Sequence, residues 1–281
     1  MSKTKFILLM FLCSVVVQTV YSSQRNDARA RFSEVTKTEA DQTADIKEEI
    51  KVGRKIAATI LGQYPLYDKQ DINDYISRVG HSLTINYGRE ELEYYFAILD
   101  TDEVNAYASP GGYIFVTRGL MQQLRDESEL AAVLAHEIIH VDKKHIVKAL
   151  NIQGYADSEQ RGVVTFIGGI AVSARVAFNQ AVESAIHVLF SEGLQQEDEF
   201  ESDTLALQIL YQVGYDPFAL ERVLDRVSNL DNHETAVVRK THPSFKERIE
   251  KITNDYPQLG ITSGHGVKGR IRFKDRTSGL T

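Results

Sequence analysis

The stretch Asp126-Glu127-Ser128-Glu129-Leu130-Ala131-Ala132-Val133-Leu134-Ala135-His136-Glu137-Ile138-Ile139-His140-Val141 decides how this chain folds. Leu130, Val133, Leu134, Ile138 and Val141 recur at helical spacing. Asp126, with Glu129 three residues on, has the form of a capping box. The pattern predicts a helix that opens after Asp126. Residues four apart on a helix stand one above the other, so the imidazoles of His136 and His140 can converge on one ion. Zinc favours nitrogen ligation of this kind with a position left open. Glu137 is rotated by about one residue's turn from His136, which puts its carboxylate beside the ion rather than on it. There it can take a proton from water that the ion activates.

A catalytic zinc takes another ligand from elsewhere in the chain. Glu199 and Asp203 are four apart and share one face of a helix that ends at Gly214. If Glu199 binds zinc, Asp203 can hydrogen-bond the far nitrogen of a ligand histidine and fix its tautomer. Glu201 points away from that face. It is the alternative ligand, because Glu197, Asp198, Glu199 and Glu201 crowd one segment that can also be a solvated acidic stretch. His145 falls about half a turn around an ideal helix from His136 and is expected to be structural. His81, His187, His233 and His265 have no partner pattern.

Working outward, Ile46, Ile50, Gly53, Ala57, Ile60 and Leu61 predict a first helix closed by Tyr64-Pro65, and a second covers Ile72 to Leu83. Glu93 to Leu99 and Tyr113 to Thr117 read as two strands that pair in a small sheet, with the turn Ser109-Pro110-Gly111-Gly112 before the second. Residues 162–190 are apolar and rich in small residues. Arg175, Asn179 and Glu183 interrupt them, so helices lying over a cleft fit better than a membrane span. Asp216-Pro217 starts a helix to Val227, Pro243 opens a last one to Ile252, and Lys268 to Phe273 reads as a late strand. The expected class is α+β, predominantly helical, with a small sheet bordering a cleft.

Lys3 and Lys5 precede an apolar run from Phe6 to Val17, and Val20-Tyr21-Ser22 suits a cleavage site, so residues 1–22 read as an export signal. An uncleaved anchor would be short against the roughly 20 residues of a bilayer span. The protein is expected to be exported: periplasmic in a Gram-negative bacterium, otherwise secreted or membrane-anchored, with membrane association only through this segment. Cys13, the one cysteine, lies inside it. Residues 23–45 read as a flexible lead-in, 46–260 as one catalytic domain and 261–281 as a tail. With 43% hydrophobic and 25% charged residues, 281 residues can bury one full core. A net charge of −7 without a basic block excludes nucleic acid as the expected partner.

Four motifs in order resemble the zinc metallopeptidase family that includes the CAAX prenyl protease, HtpX and BepA. They are Asn105-Ala106-Tyr107-Ala108-Ser109-Pro110-Gly111-Gly112, His136 to His140, Glu199-Phe200-Glu201-Ser202-Asp203, and Thr241-His242-Pro243 followed by Arg248. The resemblance implies one Zn2+ per chain, held by His136, His140 and Glu199, with Glu137 as catalytic base. It implies that the strand after the glycine turn borders the cleft. We therefore expect an extended substrate to pair with Gly112, Tyr113, Ile114, Phe115 and Val116. It also implies that His242 approaches the zinc, either to donate to the oxyanion in the transition state or to fill the fourth position and hold the enzyme latent. Ser202 stands where the family usually has Ala, and Ser109 where a larger apolar residue is common. BepA-like members carry a helical-repeat domain after the peptidase; this chain is expected to be the peptidase alone. The implied activity is zinc-dependent endopeptidase action on unfolded or misfolded proteins and peptides in envelope quality control. A chaperone-like zinc protein without turnover is the alternative, and it has no need of Glu137.

Overall fold

A computed structural model describes residues 43–149, 169–230 and 235–280. The export signal at 1–22, the lead-in up to residue 42, positions 162–168 and His233 lie outside the described residues. By its internal contacts the chain divides into residues 1–47 and 48–281. In the first unit only the helical residues 43–47 are described. The sheet, its helices and the candidate site belong to the second.

Residues 43–63 are helical (α1), and Val52, Ile56, Ala57 and Ile60 form its core stripe. Helix α2, Gln70–Tyr87, buries Ile72, Tyr75, Ile76, Val79 and Leu83 on one face. Three strands follow: β1 (Tyr95–Leu99), β2 (Ala106–Ser109) and β3 (Tyr113–Thr117). Their order is β1-β3-β2, with β1 parallel and β2 antiparallel to β3. The predicted pairing of the 95–99 and 113–117 segments is present, and β2 is an added strand. The turn between β2 and β3 needs Gly111 at φ 76° and Gly112 at φ 93°, a region that only glycine enters freely. Gly53 of α1 lies against that turn so closely that a Cβ there would stand 1.7 Å from the carbonyl oxygen of Pro110. Ser109, the departure from a larger apolar residue, is buried and donates its hydroxyl to the Gly53 carbonyl at 3.1 Å.

Helix α3 is Arg118–Gln123 and α4 is Glu127–Asp142. The predicted apolar side of α4 is only part of the picture, because every residue from Glu127 to Val141 is buried. It is a central helix enclosed by α2, by β2 and by two later helices, α7 (Gln196–Val213) and α8 (Ala219–Ser228). Between them come α5 (His145–Ala149), α6 (Gly169–His187) and a π-helical turn, Val188–Glu192. Helix α6 sends Val182 and Ala185 into the core with Val52, Ile56, Tyr107 and Ile146. No helix among the described residues is long and apolar enough to cross a membrane.

The chain closes with α9 (Ala236–Thr241), α10 (Phe245–Gln258) and α11 (Arg270–Arg276). Helix α10 opens two residues after Pro243, with Ser244 as cap. The strand expected at Lys268–Phe273 is instead α11. Val267 makes one bridge to Tyr215, Gly269 turns left-handed at φ 65°, and Phe273 is buried against the Tyr75 ring, 6.4 Å between centroids. Arg272 on the same helix bonds Glu127 at the head of α4.

Candidate active site

The start of α4 is fixed by charge. Asp126 accepts from the Glu129 backbone N–H at 3.1 Å, while the Glu129 side chain accepts from the Arg125 N–H at 2.8 Å. Glu129 also accepts from Arg226 of α8 at 2.8 and 2.9 Å and from Arg222 at 3.2 Å. Glu127 accepts from the hydroxyls of Tyr75 and Tyr215 at 2.7 and 2.8 Å. Acidic groups also suit this end of the helix dipole. The histidines, two turns further on, thus stand on a helix held at its head and buried along its length.

His136 and His140 turn their Nε2 atoms toward each other, 3.0 Å apart. Helix α7 faces them with Glu199, whose Oε1 is 3.4 Å from Nε2 of His140 and whose Oε2 is 3.6 Å from Nε2 of His136. All three side chains are buried. Among the described residues, Oε1 of Glu199 has no hydrogen-bond partner. A buried carboxylate that faces two imidazole nitrogens with one oxygen unpartnered is costly unless a cation completes the set. Two histidines and a glutamate are donors of the right kind for zinc.

One turn below Glu199, Oδ1 of Asp203 stands 2.9 Å from Nδ1 of His136. Arg248 of α10 donates Nε and Nη2 to the two oxygens of Asp203 at 2.8 and 2.6 Å. Burial works against an ionised Asp203, but Arg248 holds its carboxyl below the ordinary range. Glu201, the alternative ligand, is on another face and 45% exposed, and its carboxylate lies 3.1 Å from Nε2 of His145. His145 is fully buried, and its Nδ1 is 2.9 Å from Nδ1 of His140. Arg248 had no assigned role in the sequence beyond its place in a motif, and His145 had only a structural one.

Glu137 and His242 sit where two clefts adjoin. One is walled by Val104, Leu120, Val133, Leu220, Val223 and Leu224; the other by Tyr107, Ile146, Val188, Leu189 and Leu194. Asn105, Ala106, Glu137 and His242 line both. Burial pushes the Glu137 carboxyl above its ordinary pKa. That is the direction that suits a group which takes up and then returns a proton near neutral pH. His242 ends α9, and its Nδ1 is 2.5 Å from Oε2 of Glu199.

The expected substrate strand needs correction. β3 is the central strand, with β1 on one side and β2 on the other, so Gly112, Tyr113, Ile114, Phe115 and Val116 have no free edge to offer a peptide. β2 is one of the two edge strands of the described sheet, and its residues Ala106, Tyr107 and Ala108 line the cleft.

A metallohydrolase is the class that this helix, its facing carboxylate and the open cleft define. The sequence pattern of peptidase family M48 matches residues 70–255, and the chain belongs to that family, one of metallopeptidases. It is 26% identical to the beta-barrel assembly-enhancing protease of Escherichia coli K12 over 252 residues, 86% of this chain and 51% of that protein. It is 26% identical over 193 residues to the mitochondrial metalloendopeptidase OMA1 of Schizosaccharomyces pombe, 66% of this chain and 54% of that protein. Against the metalloprotease LoiP of E. coli K12 it is 28% identical over 160 residues, 57% of this chain and 61% of that protein. The chain spans about half the length of the first two of these relatives.

Proposed function

We propose that this chain is a zinc-dependent endopeptidase, with His136, His140 and Glu199 as ligands of one Zn2+ and Glu137 as the catalytic base. The observation that carries the reading is the convergence of two imidazole nitrogens on the buried carboxylate of Glu199, whose Oε1 has no hydrogen-bond partner among the described residues. When bound, zinc supplies Lewis acidity that polarises the scissile carbonyl and acidifies the attacking water. Glu137 takes the proton from that water and returns it to the leaving amine. Asp203 and Arg248 hold His136 in place through its Nδ1.

Substrate binds as an extended chain along the edge of β2 opposite β3, where backbone pairing gives affinity with little sequence preference. The first cleft beside Glu137 is walled by Leu120, Val133, Leu220, Val223 and Leu224 and takes an apolar side chain. Folded proteins bury such side chains, so unfolded or misfolded chains are the substrates. His242 offers a nitrogen within 4.8 Å of donor atoms of His136 and Glu199. It serves as a latch that fills the fourth position until substrate arrives. Export rests on residues 1–22, and envelope quality control on that segment together with a relative named for β-barrel assembly.

Digestion of one protein in folded and unfolded form tests this reading. Cuts confined to the unfolded form and placed beside apolar residues are expected; equal cutting of both forms, or cuts in charged stretches, would sink it. H242A should raise basal proteolysis, whereas lower turnover at unchanged zinc content would replace the latch by transition-state donation.

A further inference from the structure

An unbroken helix would place His145 five residues on from His140, about 140° around the axis, where the two rings could not meet. The chain does not continue that way. Helix α4 stops at Asp142, and Lys144 adopts a left-handed conformation at φ 57°, which is uncommon for a residue with a side chain. Helix α5 therefore starts in a new direction and brings the fully buried His145 edge-on to His140, with planes at 75° and Nδ1 to Nδ1 at 2.9 Å. On its far side, Nε2 of His145 meets Glu201 at 3.1 Å and Asp198 at 3.5 Å, both from α7.

We propose that His145 and Glu201 form a hydrogen-bond relay that locks His140 in the tautomer able to bind metal. Of two facing ring nitrogens 2.9 Å apart, one must donate and the other accept. The carboxylates of Glu201 and Asp198 only accept, so the proton of His145 belongs on Nε2 and its Nδ1 is left as an acceptor. That acceptor takes the Nδ1–H of His140, which frees the lone pair on the Nε2 of His140 that points at His136 and Glu199. The reverse arrangement would put the proton of His140 on Nε2, against metal, and would turn an imidazole lone pair toward two carboxylates. The two histidines are thus held differently. His136 leans directly on an acid fixed by arginine, whereas His140 leans on a second ring whose own acid is half-exposed. Glu201 is the end of this relay rather than a ligand.

The inference rests on the metal reading of the site, and one set of measurements separates the two. Zinc dissociation constants are measured by chelator competition for the wild type, H145L, H145N and E201A. H145L is expected to bind zinc about 10- to 100-fold more weakly. H145N can place an amide oxygen where the ring Nδ1 stood and should bind within about threefold of the wild type, recovering most of the loss expected on removing that partner. E201A changes a half-exposed side chain, so it should weaken zinc binding about tenfold without changing the melting temperature of the metal-free protein. Wild-type affinity in both H145L and E201A overturns the relay, as does H145N weakened as much as H145L. Should H145L fail to fold, unchanged affinity in E201A alone overturns it. A wild type that takes up no zinc overturns the metal reading instead.

Discussion

Arg248 makes two hydrogen bonds to Asp203, and its Nη2 also lies 3.4 Å from Nδ1 of His136. The fork is planar and fixed, which an ammonium cannot reproduce. R248K is therefore expected to weaken zinc binding about tenfold or more, read by chelator titration, and unchanged affinity would remove Arg248 from the site's support. How much of this was legible depends on sequence distance. The pairing of Asp203 with a histidine follows from a four-residue spacing, because helical periodicity is local. The contact of Arg248 with Asp203 links residues from different helices, and no spacing rule connects them. The contact of His145 with His140 was not legible for a related reason. Spacing assumes a continuous helix, and a lysine in a left-handed turn, unlike a glycine, gives no sign of the break.

At the scale of elements, the helices were legible in their cores and less so at their ends. The glycine turn and the β3 segment were read from Pro, Gly and aromatic residues, but β2 was not, since Ala-Tyr-Ala-Ser is short and alanine is a poor strand former. Without β2 the order of the sheet is unknown, and the substrate edge was assigned to the central strand. Two substitutions test the elements that carry the site. G53A forces a Cβ against the Pro110 carbonyl and should destabilise the protein by about 1–3 kcal/mol, in the range of overpacking. A melting temperature equal to that of the wild type would show that α1 and the turn can move apart. E129A strands Arg226 at the head of α4 and should cost about 3 kcal/mol, as for removal of one partner of a buried pair. Burial opposes the charge on Glu129, yet Arg226 and its other partners hold its pKa below the ordinary 4.5. Its contribution is therefore present above that pH and lost as pH falls through the folded value. Denaturant titrations should show the gap between wild type and E129A shrinking in acid; a gap independent of pH would contradict the ion pairing.

Across the whole molecule, the site joins α4, α7 and the α9–α10 segment, from His136 to Arg248, over a core that includes the sheet and α1. A metal that binds only the folded arrangement stabilises it by linkage, so chelation should lower the melting temperature as well as stop hydrolysis. The most direct measurement compares wild type and E137Q, each as purified, after chelation and after return of one equivalent of zinc, for zinc content and for cleavage of an unfolded protein. The expected result is about one zinc per chain in both proteins, with wild-type cleavage lost on chelation and restored by zinc. Cleavage by E137Q should be about 10²- to 10⁴-fold lower, the usual contribution of a general base. Cleavage by the wild type that survives complete removal of metal, or full cleavage by zinc-loaded E137Q, would contradict it.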